Sequence, residues 1–150
     1  MIAQAYSQLW APVICPRALP LIRSLPFART SRILDVDTRT GALIPALRAS
    51  ALHAWLAGID RAEGMLQIAR HAVGLPCILM DAERLAFQSH VFDLAGLAFV
   101  LFHLPDPLAA MREVRRVLRP GGVAGVVTWG EDPGLPGLAV WNEELDAVGR

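Results

Sequence analysis

An α/β fold, built on a mainly parallel sheet with helices on both faces, is what this chain predicts. Three observations carry that expectation. Apolar strand-like runs alternate with helical patterns from Arg32 onward; the first run, RILDVDTRTG, passes from strand through a tight turn straight into a helix; and the amphipathic stretch PLAAMREVRRVL stops at RPGG before the buried run VAGVVTW. Alternation of this kind stacks parallel strands and lays the crossover helices on the sheet.

Residues 1–31 carry Pro12, Pro16, Pro20 and Pro26, which should break any long helix into short pieces, so one or two short helices are expected there. Tyr6 and Trp10 are spaced i, i+4 and share a helix face. Packing against the domain and contact with a ligand are both open to them. Ile33, Leu34 and Val36 make a buried strand over 33–36, interrupted near its end by Asp35. A helix over 41–52 follows, with Leu43, Ile44 and Leu47 on its apolar face. Strand, turn and helix in that order set helix N–H groups over the carboxyl edge of a sheet, which suits an anionic or nucleotide-like ligand.

The run AWLAGID predicts a strand over 54–59 ending at Asp60. An acid about 20 residues beyond such a turn is placed for the hydroxyls of a ribose. A helix over 61–72, strands over 77–80 and 92–98, a helix over 107–118 and a strand over 123–129 complete the alternation. In the 107–118 helix, Leu108, Met111, Val114 and Leu118 form the apolar face, with Arg112, Glu113, Arg115 and Arg116 turned mostly to solvent. Arg119-Pro120-Gly121-Gly122 supplies the stop, glycine accepting a left-handed cap. Beyond Gly130 come a Pro/Gly connection and a last helical stretch from about Leu138.

Composition excludes several kinds of chemistry. The 150 residues suffice for one domain with one core. Formal net charge is zero and no basic stripe exists, which speaks against a nucleic-acid partner. All fourteen basic residues are arginine, so Schiff-base chemistry and lysine bases are out of reach. Cys15 and Cys77, with His53, His71, His90 and His103, show no metal-ligand spacing, and no metal is expected. Every apolar run is broken well short of a membrane span, and no basic residue precedes the first one as in a secretory signal. A cytoplasmic protein with two reduced thiols is the expectation.

Taken with GMLQIAR, MDAERLAF, FVLFHLPDP and VRRVLRPGG, the 32–41 segment resembles the class I S-adenosylmethionine-dependent methyltransferases, in the small-molecule branch related to ubiquinone and menaquinone biosynthesis. The resemblance covers nearly the whole chain. It implies a Rossmann-like, doubly wound sheet of strand order 3-2-1-4-5 without the family's final antiparallel strands. It also implies a lid over 1–31, a cofactor-binding core over 32–130, and a linker and terminal helix over 131–150. The uncovered edge of the fifth strand should then promote self-association. The clearest departure is in the glycine loop, where a pattern such as LDVGCGTG is expected. Asp37 and Arg39 stand at its first two glycines and only Gly41 remains.

The same resemblance assigns roles around S-adenosyl-L-methionine. Asp35 would organise its methionine end, with Asp37 to Gly41 running past it; bonds to the turn are the structural alternative. Asp60 would accept both ribose hydroxyls, or cap the helix after it. Met65 would pack on the adenine, Asp81 and Ala82 would read its amino group and ring nitrogen, and Phe99 would face the meeting point of cofactor and acceptor; core or turn roles compete for each. His103 is the one candidate general base, with loop geometry as its other role. Side chains at 37 and 39 add about 1–3 kcal/mol of strain each if φ stays positive, and Arg39 could pair with Asp37 or with the cofactor carboxylate.

Methyl transfer to a small-molecule acceptor leads, because a sulfonium cofactor carries the reactive carbon and the fold need only orient it. A non-catalytic remnant acting as a binding or interaction module is the alternative. A nicotinamide dehydrogenase is weaker, since GxGxxG and a Tyr-Lys pair are absent. The enzymatic reading sets a condition: Asp35 and Asp60 must share one end of the sheet, and neither Asp37 nor Arg39 should fill the hollow between them.

Overall fold

The computed structural model describes residues 2–130. Five strands, β1 (Arg32–Val36), β2 (Trp55–Asp60), β3 (Cys77–Leu79), β4 (Phe92–Ala98) and β5 (Leu118–Val127), form one parallel sheet in the order β3-β2-β1-β4-β5. The chain builds outward from β1 to β3 and then returns to β4 on the other side of β1. Connections therefore leave β1 and β4 in opposite directions and open a crevice at the carboxyl ends of the strands.

Two-residue alternation divides the core between the two faces of the sheet. Ile33, Leu56 and Leu94 pack with Ile22 of α2 (Ala11–Ser24), Ile44 and Leu47 of α3 (Ile44–Ser50), and Leu66 and Ala69 of α4 (Glu63–Val73). Leu34, Val36, Ile59 and Leu97 pack on the opposite face with Ala110, Val114 and Val117 of α5 (Pro107–Val117). Before α2 lies α1 (Ile2–Leu9). Among the described residues no helix is long and apolar enough to cross a membrane.

Four expectations about local structure are corrected. The first concerns the lead-in, where α2 runs unbroken for 14 residues with Pro16 and Pro20 inside it. Each of these prolines lacks the N–H that would bond the carbonyl four residues earlier, and those carbonyls belong to Pro12 and Pro16. All three prolines lie on one exposed stripe, so water can serve the orphaned oxygens, while Ile14, Ala18 and Ile22 are buried on the other side.

The second is the 41–52 helix, which begins only at Ile44 and has seven residues. Turns bonded from Gly41 N to Thr38 O (2.8 Å) and Ile44 N to Gly41 O (3.2 Å) use the residues before it. The third is the face of α5. Leu108 is 66% exposed while Ala110, Val114 and Val117 are buried, and Arg116, about a third exposed, also turns back onto the fold. It donates to Glu113 and to the carbonyls of Phe87 (2.8 Å) and Leu85 (2.7 Å).

The fourth is the stop. α5 ends because Leu118 turns extended (φ −74°, ψ 138°), with no left-handed cap. Arg119-Pro120-Gly121-Gly122 lies inside β5, in a bulge between the pairs Phe92↔Leu118 and Leu94↔Val123, where Gly121 takes φ +80°. Asp93 secures this bulge by accepting from Arg119 (2.8 Å) and from the backbone N–H groups of Ser31 and Arg32 (2.9 Å each). Its carboxyl is held below the usual range; burial alone would raise it, and the Ser31 and Arg32 donors outweigh that.

On its far side from β4, β5 pairs with no strand among the described residues. The expected linker and terminal helix over 131–150 lie outside the described residues.

Candidate functional site

At the carboxyl edge the turn after β1 makes the centre of the site. Asp37 and Arg39 keep the left-handed backbone of glycine, with φ of 62° and 53°, and Gly41 follows at 79°. Holding two side-chain-bearing residues there costs on the order of 1–3 kcal/mol each. Two bonds and one packing contact offset it by pinning the turn to β2: Thr38 N donates to Ile59 O (2.8 Å), Arg39 N donates to Asp60 Oδ2 (2.9 Å), and Thr38 packs against Gly58. A Cβ at Gly58 would lie 2.8 Å from the Thr38 side chain, so β2 must present glycine opposite the turn.

Asp35 is buried beneath this turn, and its Oδ2 accepts from Thr38 Oγ1 at 2.6 Å. It lines none of the cavities described here. Burial pushes its carboxyl up to about 7, against the Thr38 hydrogen bond, and the charges of Asp37 and Asp60 push the same way. Asp60 is also buried, and both of its oxygens are engaged, Oδ1 by Ala62 N (2.7 Å) and Oδ2 by Arg39 N. It thus ties the segment between β2 and α4 to the turn, while α4 itself starts at an Ala62 N-cap with no side-chain cap bond. Burial and the nearby Asp37 raise its carboxyl to about 6. Each oxygen still has a second lone pair, and the carboxylate forms part of a cavity wall.

That cavity holds about 600 Å³, within the range of about 300–1,000 Å³ typical of small-molecule sites. Its polar wall is Asp37, Arg39, Asp60 and Arg61, and its apolar wall is Tyr6, Trp10, Ile14, Met65, Phe102 and Trp129, with His103 at the rim. A narrower pocket of about 30 Å³ shares Asp37, Asp60, Arg61 and His103 with it and reaches Asp81 and Ala82. The fold thus gathers Asp37, Asp60, Met65, Asp81, Ala82 and His103 around one opening. Asp35, Gly41 and Phe99 stand outside it: Asp35 is sealed under Thr38, Gly41 shapes the turn, and the buried Phe99 ring packs on Trp129 at 4.3 Å. None of the first-turn residues of α3 reaches the cavity wall, so the expected helix N-terminus is not part of it.

Arg39 crosses the hollow between Asp35 and Asp60. Its Nε donates to Asp37 Oδ2, its Nη1 to Tyr6 Oη and its Nη2 to Phe99 O, each at 2.8 Å, and the guanidinium carbon lies 5.0 Å from the centre of the Tyr6 ring. Burial would pull this guanidinium down, and Asp37 with Tyr6 more than compensates. One half of the condition set by the sequence is met, since both carboxylates lie at the carboxyl end of neighbouring parallel strands. The other half is met only in part, since Arg39 lines the space and pairs with Asp37, while about 600 Å³ stays open beside Asp60. His103 sits in a single turn, Leu101–His103, with its ring 4.0 Å from that of Phe102. Partial burial and then Arg39 hold its pKa below the ordinary value.

Sequence reasoning missed Thr38, Arg61 and Trp129. Arg61 directly follows the carboxylate, and Trp129 ends the last apolar run, so position alone was a signal for both. Thr38 had no signal, because its role depends on Gly58 lying across the sheet.

The profile of a family described as "Methyltransferase domain" matches residues 34–126. The chain is 32% identical over 124 residues to the demethylmenaquinone methyltransferase of Corynebacterium urealyticum, covering 82% of this chain and 52% of that protein. It is 37% identical over 99 residues to the ubiquinone/menaquinone biosynthesis C-methyltransferase UbiE of Cupriavidus metallidurans, covering 61% and 40%. It therefore spans about two fifths to a half of the curated relatives it matches. Among solved structures, YcgJ from Bacillus subtilis superposes with a TM-score of 0.69 at 26% identity over 79% of this chain and 54% of that one.

Proposed function

The chain belongs to the methyltransferase-domain family, and on that premise we propose S-adenosyl-L-methionine-dependent methyl transfer to a small, flat, apolar acceptor in the cytoplasm. The observation that carries this reading is the cavity over Asp60. A buried carboxylate with one lone pair left on each oxygen, facing a space of about 600 Å³, fits the paired hydroxyls of a ribose. Met65 lies one turn into α4 beside it and offers an apolar wall to a nucleobase, with Asp81 and Ala82 beyond in the adjoining pocket.

When bound, the cofactor supplies an electrophilic methyl group on a sulfonium. The chain's own contribution is orientation and exclusion of water. Tyr6, Trp10, Phe102 and Trp129 form the aromatic part of the wall and suit a planar acceptor, in keeping with the quinone-pathway names of the relatives. His103 is held below its ordinary pKa at the rim, so it is neutral at pH 7 and can take a proton from an acceptor hydroxyl or ring carbon.

A second reading, a non-catalytic binding module, is favoured by one observation: Arg39 lies across the hollow where the cofactor tail belongs. Calorimetric titration with S-adenosylmethionine and S-adenosylhomocysteine separates the two. Micromolar binding of either ligand supports methyl transfer, whereas no heat and no thermal shift leaves the module.

A further inference from the structure

We propose that Arg39 is a specificity-determining residue that makes this site discriminate against the amino group of a nucleoside's amino-acid tail and favour a tail that carries only an anion. The inference rests on the nucleoside reading of the Asp60 cavity. With a ribose at Asp60 and a base toward Met65 and Asp81, the tail must run inward to Asp37, Arg39 and the end of β4.

An ammonium group needs acceptors, up to three of them. The inner end holds two that could serve, the carboxylate of Asp37 and the carbonyl of Phe99, and Arg39 donates to both at 2.8 Å. Oδ2 of Asp37 is thus taken by a guanidinium that is itself only 13% exposed. The deeper carboxylate, Asp35, is closed off by Thr38 and does not reach the cavity. What the inner wall presents instead is donors. A guanidinium has five N–H groups, three of which are used by Asp37, Tyr6 and Phe99, and Arg39 still lines the cavity.

A tail carboxylate meets the spare N–H groups of Arg39 there, and a tail ammonium meets the Arg39 cation and competes with it for Asp37 Oδ2 and Phe99 O, with Asp37 Oδ1 left as its open acceptor. An ammonium that takes the place of Arg39 at Phe99 O removes a bond that ties the turn to the end of β4. A carboxylate requires no such displacement. The left-handed backbone at 39 keeps the side chain aimed inward, because the turn is fixed by Arg39 N on Asp60 and Thr38 N on Ile59.

The test is calorimetric titration of the full chain with three nucleoside thioethers: S-adenosylhomocysteine, its deaminated analogue with the same carboxylate, and methylthioadenosine, which has no charged tail. The deaminated analogue is expected to bind at least tenfold more tightly than S-adenosylhomocysteine, and Arg39→Gly is expected to abolish or reverse that ratio. Tyr6→Phe, which frees one guanidinium bond without touching the turn, should narrow it. Equal or tighter binding of S-adenosylhomocysteine by the unmodified chain overturns the inference, as does a ratio that Arg39→Gly leaves unchanged. If methylthioadenosine binds and the amine makes no difference, the nucleoside site stands and only the role of Arg39 fails. If none of the three binds, the nucleoside reading fails with it.

Discussion

Arg39 and Arg116 make nearly the same bonds and do opposite things. Each sits next to a carboxylate close by in the chain, Asp37 or Glu113, and each donates onward to backbone carbonyls. Arg116 lies on a regular helix and grips Leu85 O and Phe87 O in the connection between β3 and β4, while Glu113 accepts from Leu85 N at 2.8 Å. It lines neither the 600 Å³ cavity nor its small neighbour, so its bonds serve the fold alone. Arg39 lies in a strained turn, joins segments 33 and 60 residues away, and lines the cavity. An arginine bonded to backbone carbonyls is thus a brace where no cavity adjoins it and a gate where one does.

The contrast can be broken most directly at Arg116. Arg116→Ala leaves two carbonyls and Glu113 without their donor and is expected to lower stability by about 1–3 kcal/mol in urea denaturation, with nucleoside affinity unchanged within twofold. An affinity loss as large as the stability loss would show the two regions to be coupled. Of similar size is the effect of Asp60→Asn, which replaces two acceptor oxygens by one and turns an N–H₂ group toward donors. Binding of S-adenosylhomocysteine should weaken by about 1.5–3 kcal/mol. In the unmodified chain it should also weaken as pH falls through about 6, where Asp60 takes up its proton.

A smaller effect sharpens the comparison through Asp35. Its carboxyl is raised from 3.8 to about 7 in the fold, so the folded chain holds a proton that the unfolded chain has released. Its contribution to stability is present below about pH 4 and is lost as pH rises to about 7. Asp60 acts in the same direction, and His103, held low, acts in the opposite one. The difference between the parent and Asp35→Asn isolates the first group. The parent should lose on the order of 1–2 kcal/mol more than the variant between pH 6 and pH 8; parallel pH profiles would sink this reading of Asp35.

Smallest of all should be the stability change in Arg39→Gly. Relief of a left-handed side chain, about 1–3 kcal/mol, opposes the loss of three hydrogen bonds worth about 0.5–1.5 kcal/mol each. A net change within about 1 kcal/mol in thermal or urea melts, beside a large change in ligand preference, would set the gate apart from the brace.

The parallel sheet and most strand boundaries were legible from sequence because apolar periodicity and chain alternation are local properties, whereas the strand order came from the family resemblance. The family resemblance named Asp37, Asp60, Met65, Asp81, Ala82 and His103, and the fold places them along two adjoining cavities. The proline-rich lead-in was misread because a count of prolines does not show that all of them fall on one wet stripe. The RPGG bulge was misread because glycine with proline signals a helix stop and a strand irregularity in the same letters.

What the sequence determined by itself is a Rossmann-like scaffold that aims two acids and a broken glycine loop at one edge. Hydrophobic spacing and turn residues act over a few positions and need no partner. Only the tertiary structure decided that Asp35 is sealed under Thr38, that Asp60 spends one lone pair of each oxygen on the backbone, and that Arg39 reaches Tyr6 and Phe99. The bonds of Arg39 to Asp60, Tyr6 and Phe99 depend on groups that meet across 21 to 60 residues of chain. Once packing removes water, each buried donor or acceptor must find whichever partner lies within about 3 Å.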